Sequence, residues 1–66
     1  MKANKGKLGL AMARACMNAY DIAKKANLPQ PTINNVISGR NVKPKTLGSV
    51  CVALGVDVAE IIEEES

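Results

Sequence analysis

The chain has 66 residues, enough for one small domain, and 47% of them are hydrophobic and 23% charged, as expected for a folded globule. It contains no His, Phe or Trp, so the usual general base and the commonest metal ligand are both missing. Composition therefore argues against an enzyme, and we expect no cofactor and no metal site.

Charge is distributed unevenly along the chain. Residues 1–56 contain all nine Lys and Arg and a single acidic residue, Asp21, whereas residues 57–66 contain five acidic residues and no basic one. This pattern predicts a basic body with a basic N-terminal arm at residues 1–6 and an acidic C-terminal tail at residues 63–66. A basic body indicates a polyanionic partner, although net charge also serves solubility alone.

The two cysteines, Cys16 and Cys51, both fall on apolar helical stripes. There we expect small buried hydrophobes rather than a disulfide or a metal site. No apolar run has the length of a signal peptide core or of a membrane span, which needs about 18 residues. The predicted location is a reducing cytoplasm, without a membrane partner.

Apolar residues recur at helical spacing and predict an all-α domain of four to five short helices. The first helix is predicted at residues 6–16 and the second at residues 18–26, where Asn18 is the N-cap and Asp21 lies in the first turn. Asn27 tolerates left-handed backbone and suits the following turn. The apolar faces of these two helices consist of Leu8, Ala11, Met12 and Ala15, and of Ala19, Ile22, Ala23 and Ala26.

Three further helices are predicted after this turn. The third covers residues 30–38. Pro44 predicts the start of the fourth, which ends at Gly55. Asp57 and Glu60 have the spacing of a capping box, which predicts a short fifth helix.

The third predicted helix has an uncharged polar face. Ile33, Val36 and Ile37 lie on one side of a helical wheel and must face the core. The opposite side is rich in amides and consists of Gln30, Pro31, Asn34, Asn35 and Ser38. A carboxamide can donate and accept hydrogen bonds together, which matches the N6 and N7 edge of adenine in the DNA major groove. The alternative interpretation is an uncommitted solvent-exposed surface.

Residues 19–38 resemble the helix-turn-helix of the lambda-repressor-like family, which includes the phage Cro and repressor proteins and the XRE regulators. The likeness rests on Ala23, Asn27, Ile33 and Val36, and it extends through the stretch ALGVDVAEI near the C-terminus. It implies that residues 1–66 form a single helix-turn-helix domain whose third helix enters the major groove.

Position by position, the resemblance implies two sets of DNA contacts. The implied base contacts are Gln30, Pro31, Asn34 and Asn35. The implied backbone contacts are Asn18, Thr32, Arg40, Asn41, Lys43 and Lys45, although Lys43 and Lys45 could also be ordinary solvated residues.

Three positions depart from the family pattern. Asn27 stands in the turn where relatives often have Gly, although left-handed geometry accepts Asn. Relatives commonly have Gln at the position of Ala19, where it binds phosphate and supports the reading helix, and Ala can do neither. Pro29 replaces the usual Ser or Thr, which leaves the third helix without a side-chain N-cap.

The favoured function is a sequence-specific regulator of transcription that binds double-stranded DNA, most simply a repressor. We expect a homodimer at least on DNA, with two half-sites about one helical turn apart. Val58, Ile61 and Ile62 are candidates for the dimer contact, with core packing as the preferred alternative. The second interpretation is an antitoxin or other protein-interaction module that also binds DNA, in which the acidic, apolar tail docks on a basic protein partner.

Overall fold

The computed structural model describes residues 1–63; residues 64–66 of the predicted acidic tail lie outside the described residues. The helices are α1 (Lys5–Ala15), α2 (Ala19–Ala26), α3 (Gln30–Ile37), α4 (Pro44–Leu54) and α5 (Val58–Ile61). The all-α class is confirmed, and each predicted helix boundary lies within one residue of the observed one. Within residues 1–63, the only strand-like pairing is a single antiparallel bridge between Ala3 and Ile62.

The first four helices all end in the same backbone conformation. The last residue of each is followed within two positions by a residue in the left-handed region, and these residues are Cys16, Asn27, Gly39 and Gly55, with φ angles of 54°, 57°, 78° and 72°. After α2, for example, the Leu28 N–H donates to the Ala23 carbonyl at 3.0 Å and the Asn27 N–H donates to the Lys24 carbonyl at 3.4 Å. This pair of hydrogen bonds satisfies carbonyls that a helix end otherwise leaves free.

The two cysteines occupy different environments. The prediction that Cys16 is buried on the stripe of the first helix is wrong, because α1 ends at Ala15 and Cys16 is exposed. Its left-handed backbone turns the chain out of the helix directly after Ala15, the last residue of the stripe. Cys51 is buried in α4 as predicted, and burial raises the pKa of its thiol, with the nearby carboxylates of Asp57 and Glu60 acting in the same direction.

The core is built from aliphatic side chains. The side chains with less than 2% of their surface exposed are Leu8, Ile22, Ile33, Val36, Leu47, Val50 and Ile61. Helix α2 packs against α3 and α4, and α1 packs against α5, α3 and α4. Ile61 therefore belongs to the core, which was the preferred interpretation, and Val58 packs against it while partly exposed.

Residues 1–6, predicted as a basic arm, comprise an extended stretch and the first residues of α1. Asn4 caps α1 by accepting a hydrogen bond from the Lys7 N–H at 3.0 Å. The Asn4 N–H donates to the Ile61 carbonyl at 2.7 Å, and the Val42 N–H donates to the Met1 carbonyl at 2.7 Å. Residues 1–4 are thus held between the loop that follows α3 and the C-terminal end of α5.

The backbone at Cys16 generates a stability prediction. A non-glycine residue pays for left-handed geometry, and Cys16 is exposed, so the variant Cys16→Gly should raise the free energy of unfolding by about 0.5–1 kcal/mol. Urea denaturation of the two proteins measures the difference. Asn27→Gly is the control, and its gain should be smaller because Asn tolerates this conformation better. A Cys16→Gly protein less stable than wild type would contradict the assignment.

Candidate nucleic-acid interface

The amide-rich side of α3 faces outward. Ile33 and Val36 have 0% of their surface exposed, and this burial turns the opposite side of the helix to solvent. The four residues predicted to contact bases are all exposed on that side: Gln30, Pro31, Asn34 and Asn35. The structure therefore brings them together on one uncharged surface, which we call the α3 amide face.

The amides of this face are available to a partner. Within residues 1–63, the side chains of Asn34 and Asn35 form no hydrogen bond to another residue; only their main-chain carbonyls accept. The donor is the Ser38 hydroxyl, at 2.8 Å from the Asn34 oxygen and 3.2 Å from the Asn35 oxygen. Ser38, which the wheel placed on the polar face, lies one residue beyond α3 and turns its hydroxyl back onto the helix.

Helix α3 begins without a side-chain cap, as predicted from Pro29. The Pro29 carbonyl accepts hydrogen bonds from the N–H groups of Thr32 and Ile33, at 3.1 and 3.3 Å. Pro31 has no N–H to satisfy. The Gln30 N–H is therefore the main-chain donor that remains free at this end of α3, next to the amide face.

Asn18 forms a capping box at the start of α2. Its Oδ1 accepts from the Asp21 N–H at 2.8 Å, and its own N–H donates to the Asp21 carboxylate at 3.0 Å. These bonds fix the orientation of the exposed amide and leave its Nδ2 group as a donor. The neighbouring Ala19 is partly buried against the core, so it presents no polar group where relatives commonly have Gln.

The loop after α3 and the start of α4 form a cleft of about 500 Å³, which Met1 and Val42 also line. Three predicted backbone contacts, Thr32, Asn41 and Lys43, line it together with Thr46. The side-chain oxygen of Asn41 accepts a hydrogen bond from the Met1 nitrogen, which leaves the Asn41 Nδ2 as a donor. Helix α4 has no side-chain cap, Pro44 has no N–H and the Leu47 N–H donates to the Lys43 carbonyl at 3.1 Å, so the N–H groups of Lys45 and Thr46 remain free in its first turn.

The remaining predicted backbone contacts lie elsewhere. Arg40 is exposed. The residue before it, Gly39, lies beside the side chain of Lys5, whose Cγ would be 3.3 Å from a Cβ at Gly39. Lys45 lines a different groove, between α2 and α4, where it is accompanied by Lys25.

Three candidate contacts were missed at the sequence level. Thr46 could have been found, because Pro44 without a capping residue before it marks an uncapped helix start beside Lys43. Tyr20 is 59% exposed and lines a cleft with Gln30, a proximity that depends on how α2 and α3 cross. Lys5 reaches Gly39 only through the tertiary fold, and no local signal marks it.

The described residues contain no group of three or more side chains able to hold a metal ion. None of the helices in residues 1–63 is long and apolar enough to cross a membrane.

The family model described as the Cro/C1-type HTH DNA-binding domain matches residues 7–65, which is nearly the whole chain. No curated protein matches the sequence.

The capping box at Asn18 generates a prediction about stability. Asn18→Ala removes the acceptor for the Asp21 N–H and should lower the free energy of unfolding by about 1 kcal/mol. Asn18→Asp keeps a capping oxygen and should stay within about 0.5 kcal/mol of wild type. Urea denaturation measures both, and equal stability of the Ala and Asp variants would mean that the cap contributes nothing.

Proposed function

The chain belongs to the Cro/C1-type helix-turn-helix DNA-binding family, and we propose that it is a sequence-specific regulator of transcription that reads double-stranded DNA with α3. The observation that carries this proposal is the outward α3 amide face, held in place by the burial of Ile33 and Val36. Helix α3 enters the major groove, where a bidentate amide–adenine pair discriminates against a wrong base by about 1–3 kcal/mol.

Phosphate contacts flank this reading helix. The cleft at the start of α4 supports one of them, because it combines the hydroxyls of Thr32 and Thr46, the Lys43 ammonium and the free N–H groups of an uncapped helix. The exposed Nδ2 of Asn18 provides a donor at the start of α2. Arg40 and Lys45 add exposed positive charge. These contacts set the register of α3 on the duplex and carry no sequence information themselves.

We propose that two copies bind adjacent half-sites and that the chain acts as a repressor in the cytoplasm. One copy offers few base-reading side chains, so useful specificity calls for two half-sites about 34 Å apart. The longest dimension of the domain is 33 Å, so two copies can lie side by side at that spacing. Repression needs only that the bound pair occupies a promoter, whereas activation needs a further surface for the polymerase.

The hydrogen bonds of the acidic side chains in residues 1–63 support a binding role over an enzymatic one. The carboxylates of Asp21, Asp57 and Glu60 are engaged in capping boxes, and Glu63 accepts from the Asn4 side chain at 2.9 Å. Each of them has a structural partner, and we propose no catalytic function for them.

The α3 amide face is tested with Asn34→Ala and Asn35→Ala. A cognate duplex is first selected from a random library with the wild-type protein. Each variant should then bind this duplex about five- to 150-fold more weakly, because an amide–base pair is lost, while binding to a scrambled duplex and thermal stability stay unchanged. Fluorescence anisotropy measures both affinities. If both variants bind the selected duplex like wild type, α3 does not read bases as proposed.

The phosphate contacts are tested through salt dependence. About five neutralised phosphates give a slope near −4.5 in log affinity against log salt. Arg40→Ala and Lys43→Ala should each weaken binding to the cognate and scrambled duplexes alike and make the slope shallower by about 0.9. Asn18→Asp, which keeps the cap but removes the Nδ2 donor, should also weaken binding to both duplexes.

Lys7→Ala is the matched control for this experiment, since it removes an exposed cation from α1, outside the proposed contacts. Its affinity and slope should stay close to those of wild type. A wild-type slope near zero, or an effect of Lys7→Ala equal to that of Lys43→Ala, contradicts the proposed contacts.

A further inference from the structure

A groove between α2 and α4 lies apart from the α3 amide face. It has a volume of about 500 Å³, and the residues lining it include Lys25, Ala26, Lys45, Gly48, Ser49 and Val52. This volume falls within the ~300–1,000 Å³ that is usual for ligand-binding clefts. Of the proposed DNA contacts, only Lys45 borders it.

The floor of the groove is open and apolar. Val52 is 80% exposed, although Leu47, Val50 and Leu54 of the same helix are buried. A Cβ atom added at Gly48 would meet no atom within 4 Å, so the space beside Val52 is empty. A single exposed aliphatic residue is ordinary on a protein surface, but here it lines a concave site with room for another side chain.

The rim of the groove is positively charged. Lys25 approaches from α2 and Lys45 from α4, and no acidic residue of the described chain lines the groove. An occupant must therefore combine an apolar side chain for the floor with negative charge for the rim. Helical segments docked in grooves supply this combination through anchors spaced three or four residues apart.

We infer that the groove between α2 and α4 docks an acidic, amphipathic segment of a partner protein. An aliphatic side chain of the segment packs against Val52 above Gly48, and its carboxylates pair with Lys25 and Lys45. Charge complementarity selects this occupant over DNA, because phosphates gain nothing from the apolar floor.

The inference is tested on the full chain, labelled with ¹⁵N, using a synthetic helical peptide that carries Leu at spacings of three and four residues and Glu at its other positions. Amide shifts should change at residues 25–26 and 48–52. Gly48→Leu fills the groove and Val52→Asp removes its apolar anchor; each should weaken peptide binding about tenfold or more. Both substitutions are in open positions, and thermal unfolding checks that the variants fold.

Gly9→Leu is the matched control, since Gly9 also lies in a helix and a Cβ there meets nothing within 4 Å. It should bind the peptide like wild type, and so should Asn34→Ala, which separates this inference from the proposed DNA-binding function. The same peptide with Lys in place of Glu should not bind.

Four results would overturn the inference. The first is a Kd weaker than about 1 mM for the acidic peptide, and the second is a set of amide shift changes confined to residues 40–43. The third is an equal loss of peptide affinity in Gly48→Leu and Gly9→Leu. The fourth is that the Lys peptide binds as tightly as the Glu peptide. Self-association of the chain that Gly48→Leu abolishes would instead assign the groove to a second copy.

Discussion

The burial of Ile33 and Val36 is the constraint on which the candidate interface depends. Helix α3 has eight residues, no side-chain cap and two consecutive Asn residues of modest helix propensity, so in isolation it would not persist in water. Tertiary packing stabilises it instead, through two side chains with 0% exposure. Successive residues of a helix are about 100° apart, so the packing of these two also determines where Asn34 and Asn35 point.

This dependence divides the molecule into stabilising and recognising parts. Capping boxes begin α2 and α5, and an Asn side chain caps α1. The residues before α3 and α4, Pro29 and Lys43, form no side-chain cap. Both uncapped starts lie beside proposed DNA contacts, although Asn18, at the capped start of α2, is a proposed contact as well. Local preferences often fail at functional sites in this way, because a donor used for capping is unavailable to a ligand.

The elements that could be predicted from the sequence are those with local causes. Two capping pairs, Asn18 with Asp21 and Asp57 with Glu60, mark the starts of α2 and α5, and Gly55 marks the end of α4. The spacing of such residues predicts the helix bounds, and the spacing of apolar residues predicts the direction of the α3 amide face. The left-handed backbone at Cys16 could not be predicted, because cysteine is not a residue type that indicates this conformation. The pairing of Ala3 with Ile62 could not be predicted either, because it joins residues at opposite ends of the chain and no local pattern indicates it.

Lys45 borders the groove between α2 and α4 and is also a proposed phosphate contact, so DNA and a docked acidic segment would compete for its charge. An exposed ion pair contributes at most about 1 kcal/mol, and a shared cation alone therefore couples the two ligands by no more than about fivefold. The coupling is reciprocal, so DNA would weaken the partner by the same factor. A partner that switches DNA binding off must thus obstruct the duplex directly, by extending from the groove toward the cleft at the start of α4, rather than by neutralising Lys45.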